Sequence, residues 1–250
     1  MKLHYFSSGP RERVLAAVLD AGHEVMEVIA TDPEKWPRVR PTIDLAAEKG
    51  IPVRLVEKAD LAGLAPRLSS QVCLSVGFGY LFPPELIDAS EVALNVHGTL
   101  LPKYRGARTL NWVIAHGEDE SGVTVHQIDV GTDTGPILLQ RPLPVSIFDT
   151  VTSLQRRTLE FEPEVVVEAL ALYGSGRANL TRQLDVDVPQ YPDRVPEHSE
   201  IDPTRPLIDL YDEIRAADPE RFPAYFFVAG QKVCIRLSRP GKPDDELDMI

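Results

Sequence analysis

The sequence predicts an α/β fold: a Rossmann-like, parallel-type sheet with helices on both faces, followed by a small C-terminal region of one helix and a β-hairpin. Strand and helix patterns alternate through the first half, beginning with the strand LHYFSS and a helix between Pro10 and Gly22. The continuous apolar run QVCLSVGF is typical of a strand buried on both faces. After about Gly174 the sequence becomes rich in proline and acidic residues, which indicates an irregular connector.

The other elements follow in chain order. A long helical stretch is expected from about Thr150 to Tyr173, where Pro163 should kink or divide it. We place a domain boundary after residue 178, so that 1–178 form the main domain and 179–250 form the connector, helix and hairpin. The remaining predicted strands are EVMEVIATD, IPVRLV, VALNVHG, SGVTVHQID, GPILLQRPLPV and the two halves of PAYFFVAGQKVCIRL, and the remaining helices are TIDLAAEKG, ADLAGLAPRL, PPELIDAS, TLNWVIAHG and PLIDLYDEIRAA.

Composition limits the classes of partner. The 250 residues carry 26 Lys and Arg against 38 Asp and Glu, a net charge of −12. Affinity for nucleic acid depends on many cationic contacts to phosphate, so we expect no nucleic-acid partner. No segment approaches the run of about 18 apolar residues that a membrane span requires, and the N-terminus has no signal-peptide pattern. We therefore expect a cytoplasmic protein that does not bind membranes.

The segment Asn95-Val96-His97 ends one of the predicted strands. Alternation along a strand places the side chains of Asn95 and His97 on the same face, at the carboxyl edge where open α/β sheets bind ligands. An isolated N-x-H pattern is more often structural, with the asparagine in a turn and the histidine in the core. The residues that follow favour a functional interpretation instead.

His97 is followed by GTLLPKYRGARTLNW, and SGVTVHQIDVGTDTGPILLQ lies downstream. This order of an N-x-H strand end, a proline-containing loop, Y-R-G, and a strand leading to a D-x-G loop resembles the formyltetrahydrofolate-dependent formyltransferases, most closely the sugar N-formyltransferases. The resemblance is strongest over residues 72–141. It departs from the family at Thr99, where the loop usually has serine, and at Ala107-Arg108 after Y-R-G.

The resemblance implies an enzyme that uses 10-formyltetrahydrofolate as its co-substrate, with Asn95, His97 and Asp133 as the catalytic residues. Asn95 and a protonated His97 would donate hydrogen bonds to the formyl oxygen as an amine attacks the formyl carbon. Asp133 would orient His97, favour its charged form and help to relay the amine proton. Main-chain groups of two loops would bind the pterin: Gly79, Tyr80 and Leu81 in one, and Asp129, Val130, Gly131 and Thr132 in the other.

For the acceptor we predict the primary amine of a nucleotide-linked amino sugar. Residues 183–250 carry 8 Lys and Arg against 15 Asp and Glu, a poor surface for tRNA. Cationic side chains in loops near the predicted cleft are candidates for the diphosphate: Arg11, Lys103, Arg105 and Arg108. Initiator methionyl-tRNA, glycinamide ribonucleotide and an amino-acid-like metabolite remain alternative acceptors. Hydrolysis of the formyl-folate and a non-catalytic folate- or nucleotide-binding module are the other open functions.

Two further expectations concern metal and assembly. His126, Asp129 and Asp133 could be imagined as ligands, but His126 is predicted in mid-strand and no cysteine cluster supports a site, so we expect no metal. The apolar hairpin PAYFFVAGQKVCIRL is larger than a small appendage easily covers. We therefore expect a homodimer that uses this C-terminal region, although packing on the preceding helix is the alternative.

Overall fold

The computed structural model describes residues 1–69, 71–184 and 191–250. Its centre is a seven-stranded sheet in the order β3-β2-β1-β4-β5-β6-β7. The first five strands pair in parallel, whereas β6 and β7 are antiparallel. The predicted α/β fold is confirmed. The strands are β1 (Lys2–Ser7), β2 (Glu24–Thr31), β3 (Val53–Val56), β4 (Val72–Val76), β5 (Val92–His97), β6 (Glu120–Gln127) and β7 (Ile137–Pro144).

The central strands are buried on both faces, as the apolar runs predict. Every residue of β4 is buried. Neighbouring side chains of β1 enter different core clusters, because Tyr5 packs with Val14 and Leu170 in one and Phe6 packs with Leu86 in the other. Side chains alternate along a strand, so these clusters lie on opposite faces of the sheet.

Helices cover both faces. The helices are α1 (Glu12–Asp20), α2 (Arg40–Glu48), α3 (Pro84–Ala89), α4 (Leu110–Ala115), α5 (Val151–Gly174) and α6 (Leu207–Arg215). The segment ADLAGLAPRL was expected to be helical but contains only two short 3₁₀ turns, Lys58–Asp60 and Ala62–Leu64. Gly63 is a poor helix former and Pro66 cannot continue a helix, which accounts for the difference.

The long helix α5 is continuous through Pro163, so the expectation that this proline divides it is wrong. Thr150 and Ser153 form a reciprocal capping box at its start, with hydrogen bonds of 3.2 and 2.9 Å. The buried side chains of Leu154 and Leu170 lie on either side of the proline. This packing offsets the single hydrogen bond that a proline removes.

The C-terminal region contains the predicted helix and hairpin. Strands β8 (Ala224–Val228) and β9 (Gln231–Ile235) are antiparallel, and the turn residues Ala229 and Gly230 have φ angles of 50° and 77°. One face of the hairpin packs on α6, and the outer face exposes Phe227 by 51%. Residues 185–190 of the predicted connector lie outside the described residues. Within the described ranges, no helix is long and apolar enough to cross a membrane.

Candidate active site

A cavity of about 630 Å³ opens at the carboxyl ends of β4 and β5. This volume lies within the range that small-molecule sites occupy. Its walls come from the loops after β1, β4, β5 and β6, from α5, and from the C-terminal segment 194–222. The main domain and the C-terminal region therefore share one cavity.

Asn95 and His97 project into this cavity from the end of β5, as the alternation of the strand predicts. The Ser75 hydroxyl donates to Asn95 Oδ1 over 2.9 Å and so fixes the orientation of the amide. Asn95 Nδ2 consequently faces Asp133 Oδ1 at 3.2 Å and His126 Nε2 at 3.1 Å. The amide donor of Asn95 is thus directed towards Asp133 and His126 rather than towards solvent.

Asp133 contacts Asn95, His97 and His126, and we call these four residues the Asp133 cluster. Its backbone has a φ of 53°, a left-handed conformation that turns the side chain back over the end of β5. Its Oδ2 accepts a hydrogen bond from the Gly106 amide at 2.9 Å and lies 3.4 Å from His97 Nδ1. Burial raises the pKa of Asp133, but His97, His126 and the Gly106 amide together outweigh burial and hold that pKa well below its usual range. Asp133 is therefore a carboxylate at neutral pH.

His97 is enclosed between two acceptors. Its Nε2 donates to the Tyr104 carbonyl over 2.8 Å, and its Nδ1 faces Asp133. Burial lowers the pKa of His97 below 6.5, and the opposing effects of Asp133 and of the Tyr104 carbonyl do not compensate. The effect of burial therefore opposes the expectation of a protonated His97 and favours the neutral imidazole.

His126 belongs to the same cluster, although sequence analysis assigned it no functional role. Its Nδ1 donates to the Gln127 carbonyl over 2.9 Å, and its Nε2 lies 3.1 Å from Asn95 Nδ2 and 3.3 Å from Asp133 Oδ1. It lies opposite Asn95 in the antiparallel β5–β6 pair. The contact between His126 and Asn95 depends on this register, which the sequence alone does not predict. In the part of the chain that the structure describes, no group of three or more His, Cys, Asp or Glu residues could hold a metal ion.

Both loops predicted to hold the pterin flank this cluster. Gly79, Tyr80 and Leu81 line the cavity, as do Asp129, Gly131 and Thr132. Val130 is 79% exposed and is not among the described lining residues.

Packing alone accounts for two of the glycines in these loops. A Cβ on Gly79 would meet Trp36 at 2.8 Å, and a Cβ on Gly131 would meet Thr134 Oγ1 at 2.0 Å. The Asp129 side chain is engaged within its own loop, where it accepts from Gly131 and Thr134.

The arginines of the cavity differ in part from those that the sequence suggested. Arg11 and Arg108 line it, but Lys103 pairs with Glu118 and Arg105 pairs with Gln183, and neither is among the described lining residues. Three arginines that sequence reasoning missed line the cavity as well: Arg38, Arg194 and Arg221. They come from segments far from the motif, so no spacing rule could have found them.

The arginines of the cavity differ in their charged neighbours. Arg11 forms an ion pair of 2.9 Å with Glu162 of α5, whose carboxylate is almost fully buried. Loss of hydration lowers the pKa of Arg38, and the charges of Arg221 and Arg11 lower it further. A bound anion would relieve this repulsion.

Aromatic stacking joins the C-terminal segment to the loop after β5. The ring of Tyr191 stacks on that of Tyr104, whose carbonyl holds His97, with centroids 4.9 Å apart and an interplanar angle of 13°. The guanidinium of Arg194 lies 4.9 Å from the centre of the Trp112 ring.

This fold and site define a formyl-group transferase. Residues 14–170 match the family model described as formyl transferase, and the chain belongs to that family. Its sequence is 34% identical to the methionyl-tRNA formyltransferase of Koribacter versatilis, over 86% of this chain and 72% of that protein. It is 31% identical to the methionyl-tRNA formyltransferase of Myxococcus xanthus, over 88% of this chain and 72% of that protein.

Solved structures extend the similarity to the C-terminal region. An uncharacterised Mycobacterium tuberculosis protein considered a sugar N-formyltransferase has a TM-score of 0.76 at 25% identity, over 97% of this chain and 99% of that chain. Glycinamide ribonucleotide transformylase 1 of Symbiobacterium toebii has a TM-score of 0.64 at 28% identity, over 74% of this chain and 94% of that chain.

Proposed function

We propose that this formyltransferase transfers the formyl group of 10-formyltetrahydrofolate to the primary amine of a nucleotide-linked amino sugar. The observation that carries the proposal is a single cavity in which the Asp133 cluster faces several arginines, in a chain with a strongly acidic C-terminal region. The cluster suits amide-bond formation, and the arginines suit a small anionic acceptor.

Each residue of the cluster has a chemical role in this proposal. Asn95 Nδ2 contacts Asp133 and His126 in the structure, and in the reaction it exchanges one of these contacts for the formyl oxygen as negative charge develops there. Such a contribution is typically worth about 10²–10³ in rate. The neutral His97 accepts the proton that leaves the amine, and Asp133 stabilises the imidazolium that results. The Tyr104 carbonyl keeps the Nε2 proton in place, so that Nδ1 is the basic nitrogen. His126 helps to hold Asn95 in position.

The cavity fits the folate co-substrate, which supplies the formyl group. Aromatic side chains of the loop after β4, Phe78 and Tyr80, stand beside Ile128 and give a wall suited to a flat ring. We assign the pterin to main-chain groups of this loop and of Asp129–Asp133. Val130 is not among the described lining residues of the cavity, and its side chain points to solvent.

Two acceptors compete. The curated relatives named above, at 31% and 34% identity, are methionyl-tRNA formyltransferases, which favours tRNA. Against this, residues 183–250 have a net charge of −7, and neutralising tRNA phosphates requires a cationic surface. The similarity to the M. tuberculosis protein covers nearly the full length of both chains. We therefore favour the nucleotide-linked amino sugar.

Formylation of aminosugar nucleotides tests the acceptor directly. With dTDP-, GDP- and UDP-linked amino sugars and charged initiator tRNA at matched concentrations, tetrahydrofolate release should occur with at least one sugar and not with the tRNA. Efficient turnover of the tRNA with none of the sugars would overturn the choice. The acidic C-terminal region predicts no turnover of the tRNA because it repels the tRNA backbone.

A matched pair of variants tests whether Arg38 binds the phosphates of the acceptor. Arg38→Gln should raise the KM for the sugar nucleotide about 10-fold or more with little change in kcat, because it removes a charged partner of the phosphates. Arg40→Gln is the control, since Arg40 pairs with Glu34 and is not among the described lining residues. Equal KM values in the two variants would remove Arg38 from the acceptor site.

We also propose that the protein forms a homodimer through the C-terminal hairpin. Phe227 on the outer face and Val228 beside the turn are 51% and 52% exposed, and a second chain would cover them. Light scattering at micromolar concentration should give twice the chain mass, and Phe227→Glu should reduce it to the monomer mass. A wild-type protein that is strictly monomeric contradicts this assembly.

A further inference from the structure

Gln183 is a buried side chain that no step of the proposed reaction uses. It is only 4% exposed and follows the short bridge between Thr181 and Ile137 at the edge of the sheet. Its Nε2 donates to two main-chain carbonyls of the loop after β6, that of Asp133 at 2.9 Å and that of Gly135 at 2.7 Å. Its amide therefore fastens the backbone that carries the Asp133 carboxylate.

The other end of the same amide contacts the loop after β5. Gln183 Oε1 accepts from Arg105 Nε at 3.1 Å and from Arg105 Nη2 at 2.8 Å, a two-pronged contact of fixed geometry. Arg105 stands between the two residues whose main chain holds the cluster. The Tyr104 carbonyl accepts from His97, and the Gly106 amide donates to Asp133 Oδ2.

From these contacts we infer that Gln183 is a positioning residue, which sets the separation of His97 and Asp133 by joining the two loops that hold them. This inference rests on the proposed function for its kinetic consequence, but not for its structural one. Gln183 touches no reacting atom. A change of about 1 Å in the geometry of a catalytic group can cost about 100-fold in rate, so a tie of this kind has a measurable effect on turnover.

Gln183→Leu tests the inference because leucine is similar in size and removes all four hydrogen bonds. We expect kcat to fall about 10- to 100-fold with little change in the KM values. Gln140→Leu is the matched control. Gln140 is a half-buried glutamine whose Nε2 likewise donates twice, to the Leu101 carbonyl and to Thr124 Oγ1, but it contacts neither Asp133 nor Arg105. Its kcat should stay near the wild-type value.

Amide hydrogen exchange provides a readout that needs no activity. The Gly106 amide is protected by Asp133 across the two loops, whereas the Gly131 amide is protected by Asp129 within one loop. In Gln183→Leu the exchange of Gly106 should accelerate while that of Gly131 and of β4 stays unchanged. Unchanged exchange at Gly106, or equal acceleration at all three sites, would overturn the positioning role. If no acceptor is formylated by the wild type, the proposed function fails, and the exchange result still decides the role of Gln183.

Discussion

Replacing Asp133 by asparagine is expected to lower turnover by about 10²- to 10⁴-fold while leaving the protein folded. Asparagine has the same shape, but it cannot stabilise the imidazolium that His97 becomes after accepting the amine proton. Its amide also exchanges an acceptor for a donor near the Gly106 amide, which now donates to Asp133 Oδ2. Tetrahydrofolate release measures the loss, and a thermal melt checks the fold.

The same variant should also change the pKa of His97 in a predictable direction. The Asp133 charge raises the pKa of His97 against the larger lowering by burial, so its removal should lower that pKa further. NMR titration of the His97 ring in both proteins measures the change. A His97 pKa that rises or stays constant in Asp133→Asn, or turnover near the wild-type value, is incompatible with the role given to Asp133.

Replacing His97 by glutamine should cause a loss of similar size, about 10²- to 10⁴-fold. The glutamine amide can still donate to the Tyr104 carbonyl, which limits the structural damage, but it cannot accept a proton. In the wild type kcat/KM should rise with pH through a pKa below 6.5, because the neutral imidazole is the base in the proposed reaction. This limb of the pH profile should disappear in His97→Gln.

The double variant Asp133→Asn/His97→Gln shows whether the two side chains act together or independently. If Asp133 acts through His97, the double variant should be no less active than the weaker single variant, because groups that act as a unit are strongly non-additive. Losses that multiply would mean that the two side chains act separately. Binding of 5-formyltetrahydrofolate, an unreactive analogue, should stay near the wild-type value in all three proteins and so controls for damage to the cavity.

The sequence predicts the sheet and one part of the site for the same physical reason. Period-two alternation places Asn95 and His97 on one face, and a strand end at the carboxyl edge of a sheet is where side chains of different segments meet. The order of the motifs and the family resemblance supply Asp133. Its actual position depends on a loop that doubles back, with Gln127 donating to the Pro136 carbonyl over 2.8 Å.

The sequence could not predict features that depend on register, burial or distant segments. His126 joins the cluster because β6 runs antiparallel to β5 and pairs it with Asn95. The protonation of His97 depends on how deeply the ring is buried, which no motif reveals. Arg38 and Arg221 reach the cavity from a 3₁₀ turn and a C-terminal loop that are far apart in the chain.

The location of Gln183 bears on how acceptor preference can change between relatives. The predicted boundary after residue 178 separates Gln183 from Arg105 and Asp133, although these three residues share hydrogen bonds. Recombination at that boundary would combine Gln183 from one parent protein with the loops that carry Arg105 and Asp133 from another. Crossovers beyond residue 183, or substitutions confined to 191–222, leave the amide with its own loops and still alter the wall of the cavity. Substitutions within residues 191–222 are therefore expected to change the acceptor more readily than exchange of the whole region 179–250.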